Sequence, residues 1–202
     1  MTSDEFTFVG NDICEMIVWL HDHDIDVVNF DKKGLKTIRQ LWAEHQREVV
    51  LRWDAAKERV LRVALTARVV LVVGDSVLRE VKRVYPRGEV LKKDWWSISE
   101  TRYKKESSPD AAIRGLREEC GLTVTESQLD GDKWAGLAGE PPEPYKSTTY
   151  PGIWTSAIPE WIEVRLDQRP WEDPPIIQDD GVRIHLAWDT YRPPFKHHWL
   201  LK

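Results

Sequence analysis

The sequence predicts an α+β or sandwich-like fold, in which β-strands stand on both sides of a single well-bounded helix. Strand-like apolar runs fill residues 59–99, a segment with clear helix start and stop signals follows at 108–121, and alternating strands return at 161–166 and 182–188. Strands that flank one capped helix are typical of α+β domains built around one core.

The central helix has residues suited to both of its ends. Ser108 is placed to cap the N-terminus, Pro109 suits the first turn, and Asp110 complements the positive end of the helix dipole. Gly121 fits the left-handed conformation that ends many helices. The sequence therefore predicts a helix that begins near residue 108 and ends at Cys120.

The strands before and after this helix are predicted from apolar patterning and turn residues. "VVLRW" and "RVLRVAL", separated by "DAAKE", predict a β-hairpin, and "VALTARVVLVV" (63–73) predicts one buried strand or two. Further strands are predicted at "SVLREVKRVY", "EVLKKDWWSIS", "WIEVRL" and "VRIHLAW". Residues 123–152 and 167–181 are rich in polar residues, Gly and Pro, and predict two long loops.

The first part of the chain is less clearly patterned. "ICEMIVWLHD" (13–22) fits a short helix or a buried strand, whereas residues 34–48 carry apolar residues at the spacing of one helix face. We expect residues 1–58 to form an N-terminal extension, made of a helix and the start of the hairpin, and residues 59–202 to form the main domain.

Composition narrows the class of protein. The chain has 202 residues, of which 41% are hydrophobic and 31% are charged, as in soluble globular proteins. A formal net charge of -5 argues against coating nucleic acid, and residues 63–73, the longest apolar run, are too short to cross a bilayer. Cys14 and Cys120 form no disulfide framework, and "MTSDEFTFVG" does not resemble a secretory signal. We therefore expect a cytoplasmic protein that does not associate with membranes. A homodimer is compatible with the sequence, which does not fix the oligomeric state.

Residues 100–122, "ETRYKKESSPDAAIRGLREECGL", carry a spaced set of charged and small residues. The set resembles the box of the Nudix hydrolase superfamily: Gly, five residues, Glu, seven residues, then Arg-Glu-U-x-Glu-Glu-x-Gly-U, where U is a bulky aliphatic residue. Seven of the nine fixed positions match: Glu106, Arg114, Leu116, Glu118, Glu119, Gly121 and Leu122. At average residue usage, so good a match arises by chance on the order of once in a thousand chains of this length.

The resemblance implies a fold and a chemistry. The fold is a mixed β-sheet sandwiched between helices, and the activity is hydrolysis of a phosphoanhydride bond in a nucleoside diphosphate-linked or other small diphosphate substrate. Glu118 and Glu119 correspond to ligands of Mg²⁺ (or Mn²⁺), and together with Arg114 they are the predicted catalytic residues. Arg114 corresponds to the arginine that orients the glutamates. Glu106, as its ion-pair partner, and Gly121 have supporting roles.

Two positions depart from the box. Glu100 replaces the leading glycine, and Gly115 replaces the first glutamate of Arg-Glu. Residues 115, 118 and 119 share one helix face, so Gly115 removes one carboxylate from an acidic stripe and costs the helix about 1 kcal/mol relative to alanine. Three interpretations stay open: a carboxylate from elsewhere replaces it, a ligand approaches the glycine backbone, or the site has decayed. The candidates for a replacement are Glu160, Glu163, Asp179, Asp180 and Glu100 itself.

Other features have a structural interpretation beside a functional one. His21 and His23 in "HDHDID" fit a metal site if they lie on a strand, but a polar turn explains them better. "KHHWLLK" (196–202) is a second histidine-containing segment, for which an exposed tail is the simpler explanation. Cys120 is expected to fill space in the core. Trp134, Trp154 and Trp171 lie in or beside the predicted loops, where they would line a substrate pocket or pack in the core.

The sequence therefore supports two hypotheses from different classes. The first is a metal-dependent Nudix-type diphosphate hydrolase, which binds a small-molecule substrate through the two long loops. The second is a catalytically impaired Nudix-like module that binds a nucleotide or a protein partner.

Overall fold

The computed structural model describes residues 7–32, 34–86, 88–95, 98–130, 142–174, 176–179 and 182–190, and all statements below concern these. They contain three α-helices and a ten-stranded sheet. The predicted α+β class with a mixed sheet is confirmed.

The chain divides into two compact units, each assembled from separate stretches of sequence. The first unit comprises Met1–Leu65, Thr101–Lys105 and Glu140–Ile158, and the second comprises Thr66–Glu100, Glu106–Gly139 and Pro159–Lys202. The predicted extension over residues 1–58 belongs to the first unit, and the boundary after residue 58 stays a prediction.

Two capped helices belong to the first unit. Helix α1 (Ile13–Asp22) begins where the Asp12 carboxylate accepts hydrogen bonds from two backbone N–H groups, which settles the ambiguity between helix and strand. Helix α2 (Ile38–Arg47) begins later than the patterned segment because Thr37 and Gln40 form a capping box.

The predicted hairpin is also present in the first unit. Strand β1 (Val49–Asp54) pairs antiparallel with the first residues of β2 (Arg59–Val73), from Val49 opposite Ala64 to Asp54 opposite Arg59. Strand β7 (Tyr145–Lys146) pairs with the start of β8 (Trp154–Leu166). The buried core of this unit consists of Phe8, Met16, Leu20, Ile25, Phe30, Leu41, Leu51, Val60, Tyr150 and Ile153.

The second unit contains most of the sheet. Its remaining strands are β3 (Ser76–Val84), β4 (Val90–Trp95), β5 (Ile98–Thr101, whose last residue falls in the first unit), β6 (Leu129–Asp130), β9 (Ile177–Asp179) and β10 (Val182–Thr190). The strand order is β6-β8-β2-β3-β10-β9, with β4 paired to β3 and β5 paired to β2. Residues 63–73, expected as one strand or two, lie within the single strand β2.

Helix α3 (Ser108–Cys120) follows the predicted limits, but its cap is different. Ser107, not Ser108, is the capping residue, because its backbone is extended and its side chain accepts a hydrogen bond from the backbone N–H of Asp110. Ser108 is already the first helical residue. Gly121 ends the helix with φ of 65°, as predicted.

One face of α3 holds it against the sheet. Its buried residues Ala111, Ala112, Leu116 and Cys120 pack with Ala67, Val69, Leu71, Leu78, Val124, Ile162, Val164 and Ile184 in one apolar cluster. The opposite face of the helix therefore carries the charged residues, as an amphipathic helix on a sheet requires.

Some elements differ from the sequence prediction. Strand β8 begins at Trp154 rather than at residue 161, because the buried polar residues Thr155 and Ser156 obscure its apolar alternation. The predicted loop over 123–152 contains a 3₁₀ turn (Glu126–Gln128) and the short strands β6 and β7, while its residues 131–141 lie outside the described ranges. None of the described helices combines the length and the apolar character that crossing a bilayer needs.

Candidate functional site

Arg114, in the second turn of α3, lies at the centre of the charged face. Its Nε and Nη2 atoms donate hydrogen bonds to the two carboxylate oxygens of Glu106, at 2.8 and 2.9 Å. Both side chains are only 12% exposed, so this bidentate pair is held out of bulk water. The hydrogen bonds to Glu106 raise the pKa of Arg114, which therefore stays positively charged. The ion pair expected between these two residues is present.

Two further carboxylates contact the same guanidinium group. Nη1 of Arg114 donates to Glu100 Oε1 at 2.8 Å and lies 3.3 Å from Glu118 Oε2. Glu100 comes from β5, Glu106 from the segment that precedes α3, and Glu118 from the next turn of the helix. A single cation thus gathers carboxylates from three segments of the second unit.

The two departures from the box meet in space. A Cβ atom built on Gly115 would lie 2.8 Å from Cβ of Glu100 and 3.0 Å from its Cγ. The Glu100 side chain therefore occupies the space that the side chain of a glutamate at 115 would enter. Burial raises the pKa of Glu100, although the hydrogen bond from Arg114 acts in the opposite direction.

Glu118 and Glu119 extend the charged face toward the end of α3. The Glu118 side chain is 50% exposed, and Glu119 is partly exposed beside it. Among the described residues, no group of three or more His, Cys, Asp and Glu side chains is arranged to hold a metal ion. Mg²⁺ usually binds proteins through one or two carboxylates and completes its shell with water and substrate phosphate, so a site for this ion does not require three such side chains.

Glu160 does not replace the carboxylate missing at Gly115. Its carboxylate accepts a hydrogen bond from the hydroxyl of Ser108, at the first residue of α3. Ser108 and Gly115 are seven residues apart, or about 10 Å along a helix. Glu160 is therefore bound at the opposite end of the helix from the glutamates.

Glu163 is excluded for a different reason. It is fully buried on β8, and its Oε1 forms an ion pair with Nε of Arg165 at 2.5 Å. Successive side chains of a strand point to opposite faces, and its neighbours Ile162 and Val164 pack in the cluster that includes Leu116 of α3. Glu163 thus points away from α3.

Several predicted candidates fall outside the part of the chain whose side chains are described. They are Asp179 (whose backbone ends β9), Asp180, Trp134 and the tail segment 196–202.

The histidines of "HDHDID" form a helix end. His21 lies in the last turn of α1, and His23 follows the helix as its C-cap, with Nδ1 2.7 Å from the carbonyl oxygen of Trp19. The ring of His23 packs between those of Trp19 and Trp53. Because the segment is a helix end rather than a strand, the alternation needed for a two-histidine metal site is absent here, and the interpretation as a turn is the correct one.

The remaining candidates, Cys120, Trp171 and Trp154, each pack against other residues of their own unit. Cys120 is buried in the apolar cluster, as expected for a residue that fills space in the core, and burial raises the pKa of its thiol to about 12. Trp171 packs on the core of the second unit, and its carbonyl oxygen accepts a hydrogen bond from Nε1 of Trp188. Trp154 begins β8 in the first unit, where the guanidinium of Arg59 lies 4.7 Å from its ring centroid.

Comparisons with known proteins give distant structural neighbours. No protein-family model matches the chain, and neither does any curated protein. Similar solved structures include a dihydroneopterin triphosphate pyrophosphohydrolase from E. coli, with a TM-score of 0.38 and 19% identity over 63% of this chain and 79% of that one. A MutT/nudix family protein from Enterococcus faecalis has a TM-score of 0.35 and 14% identity, over 89% of this chain and 51% of that one.

A hydrolase of the NUDIX family from Clostridium perfringens is similar as well. Its TM-score is 0.34 and its identity 20%, over 63% of this chain and 80% of that one. Two of these three structures are named as members of the Nudix or MutT family.

Proposed function

We propose that this chain is a divalent-metal-dependent hydrolase that cleaves the phosphoanhydride bond of a nucleoside diphosphate-linked or other small diphosphate substrate. The observation that carries the proposal is the ion pair between Arg114 of α3 and Glu106, which lies just before the helix. It lies in the register of the box, it is held out of bulk water, and it places Nη1 of Arg114 beside Glu118.

The residues of α3 would have different roles in such a reaction. Glu118 and Glu119 would hold Mg²⁺ or Mn²⁺, for which carboxylate oxygens are suitable ligands. When bound, the ion supplies positive charge to the phosphate oxygens and lowers the pKa of a coordinated water. Arg114 orients Glu118, and Glu106 keeps Arg114 in a single conformation. Gly121 ends α3 directly after these glutamates, and the loops over 123–152 and 167–181 would select the substrate.

A second candidate function follows from Gly115. Because α3 lacks a carboxylate at this position, the same fold is also suited to a catalytically impaired module that binds a nucleotide or a protein partner. The two functions differ in turnover, since a module binds a nucleotide without cleaving it.

The deciding experiment is a hydrolysis assay with Mg²⁺ or Mn²⁺ and a panel of diphosphate compounds. The panel contains ADP-ribose, dinucleoside polyphosphates, nucleotide sugars, nucleoside triphosphates and prenyl diphosphates. We expect metal-dependent turnover of at least one compound, and its loss in Glu119→Gln. Glu89→Gln, which changes an exposed glutamate between β3 and β4, is the matched control and should retain activity.

Two other results would contradict this proposal. Tight nucleotide binding by calorimetry, without turnover of any compound in the panel, would replace the enzyme with the binding module. Turnover that persists in Glu119→Gln would show that the activity does not depend on the α3 carboxylates.

A further inference from the structure

The two departures from the box are reciprocal. The box has glycine where this chain has Glu100, and glutamate where this chain has Gly115. In the structure these residues lie against each other, since a Cβ on residue 115 would lie within 2.8 Å of Cβ of Glu100. A large side chain at one position excludes a large side chain at the other.

The exchange keeps a carboxylate next to Arg114. Glu100 comes from β5 rather than from α3, and its Oε1 accepts a hydrogen bond of 2.8 Å from Nη1 of Arg114. Its Oε2 lies 3.3 Å from the Cβ position of residue 115. The side chain is 16% exposed, so the ion pair is shielded from water.

The contacts of Arg114 indicate what Glu100 does there. Glu106 binds Nε and Nη2, and Glu100 binds Nη1, so every nitrogen of the guanidinium group has a carboxylate partner. Held in this way, Nη1 also lies 3.3 Å from Oε2 of Glu118, one turn later on the helix. Glu118 would otherwise be a half-exposed side chain free to sample several rotamers.

We infer that Glu100 and Gly115 form a compensating pair, in which Glu100 is a positioning residue that takes over from the missing box glutamate and aligns Glu118 through Arg114. This inference rests on the proposed function, because it assigns Glu118 to the metal site. Glu160 and Glu163 do not perform this role, since one is bound at the start of α3 and the other points away from it.

Binding of Mn²⁺ alone, followed by electron paramagnetic resonance, tests the positioning role without any substrate. Loss of an outer-shell partner typically lowers metal affinity about 10- to 100-fold, and we expect a loss of this size in Glu100→Ala. Glu100→Gln keeps an oxygen that accepts from Arg114 and should retain most of the affinity. Glu119→Gln should lose binding, and Glu89→Gln should bind as the original protein does.

Thermal unfolding without metal tests the exchange itself. Gly115→Glu alone should lower Tm by roughly 3–10 °C, because the added side chain overpacks the space that Glu100 fills. The double variant Glu100→Gly/Gly115→Glu restores the box and should regain both Tm and Mn²⁺ affinity relative to Gly115→Glu.

The outcomes separate this inference from the proposed function. Binding of Mn²⁺ that depends on Glu119 but is unchanged in Glu100→Ala would overturn the inference and leave the hydrolase intact. No Mn²⁺ binding by the original protein would overturn both. A double variant as unstable as Gly115→Glu would show that the two positions do not compensate each other.

Discussion

The Glu100 side chain lies across the face of α3 at Gly115, with its Cβ atom 2.8 Å from where a Cβ on residue 115 would stand. Real Cβ atoms essentially never approach another heavy atom this closely. Residue 115 must therefore be glycine while residue 100 is glutamate. In the sequence this glycine only lowers the helix propensity, but in the structure the packing of Glu100 requires it.

The first prediction concerns Gly115→Ala. Alanine in place of glycine inside a helix normally gains about 1 kcal/mol. Here the added methyl group meets the stem of Glu100, which lies next to a strand backbone and cannot move aside freely, so we expect a loss of about 1–3 kcal/mol in the free energy of unfolding. Urea unfolding measures the change. In the Glu100→Gly background the same substitution should be stabilising. If Gly115→Ala stabilises the original protein, residue 115 and the stem of Glu100 do not approach each other this closely.

Arg114 is predicted to contribute strongly to stability. Its removal in Arg114→Ala leaves Glu100 and Glu106 partly buried without their cation, and breaking such a pair costs about 3 kcal/mol in the free energy of unfolding. Arg114→Lys should recover only part of this, since an ammonium group cannot bind Glu106 bidentately. Chemical denaturation provides the measurement. Arg117→Ala, on the exposed side of the same helix, is the control and should change stability by less than about 0.5 kcal/mol. Equal effects of the two substitutions would contradict the role of the Arg114 pair.

Local signals in the sequence were sufficient to locate α3, the region of α2 and most strands, whereas α1 stayed undecided between helix and strand. The end of α3 at Gly121 and the hairpin of β1 and β2 depend on residues close in sequence, so capping and turn chemistry indicate them. The start of α2 also depends on a local capping box, but the apolar spacing placed it too early. The start of β8 was missed because Thr155 and Ser156 are buried polar residues, which only tertiary packing can place inside. The cap of α3 was displaced by one residue because Ser107 and Ser108 are chemically equivalent in the sequence.

The candidate site was predictable in part for the same reason. Arg114 and Glu118 lie four residues apart on one helix, and this spacing is enough to place them together. The Glu100–Gly115 contact joins a strand to a helix, and no local periodicity encodes it. The sequence did contain one signal. Both departures occur within one box, and they are opposite, since glutamate replaces glycine at position 100 and glycine replaces glutamate at position 115. Glu163 illustrates the converse, because an acidic residue in the sequence proved to be buried on the wrong face of β8.

Tyr150 is predicted to stabilise the first unit through one hydrogen bond. Its hydroxyl group, buried in the core, donates to Glu44 Oε1 at 2.9 Å, and the Glu44 carboxylate also binds Lys36 and Arg62. Tyr150→Phe keeps the ring and removes this bond to a charged group, so we expect a loss of about 1–2 kcal/mol in the free energy of unfolding. Tyr145→Phe changes an exposed tyrosine of the same unit and should have no measurable effect. A loss of equal size in both variants would show that the hydroxyl of Tyr150 does not contribute specifically.

The two cysteines are predicted to differ in reactivity. Cys14 is exposed on α1, whereas Cys120, the last residue of α3, is buried with its pKa raised to about 12 by burial. Only a thiolate reacts readily with a disulfide reagent such as Ellman's reagent. At pH 8 the native protein should therefore react with the reagent at one thiol per chain, and the unfolded protein should react at two. Cys14→Ser should react only when unfolded. Rapid labelling of both thiols under native conditions would contradict the packing of Cys120.

The last prediction is a pH dependence of stability that arises from His45. This residue is buried on α2 against Phe8 and Trp42, and burial together with the nearby charge of Lys104 lowers its pKa from 6.5 to about 4. Between these two values the unfolded chain binds the proton and the folded chain does not. The stabilisation is therefore complete above about pH 6.5 and is lost as the pH falls toward 4, by up to about 3 kcal/mol.

Thermal unfolding between pH 4.5 and 7.5 measures this effect, and the difference between variants isolates it from the acidic residues. His45→Gln keeps a neutral side chain at every pH, so its Tm should fall less steeply below pH 6.5 than that of the original protein. His21→Gln, at an exposed position of α1, should follow the original curve. If the His45→Gln curve runs parallel to that of the original protein, the buried neutral imidazole is not the source of the acid sensitivity, because removing the titrating group would then have removed no proton uptake on unfolding.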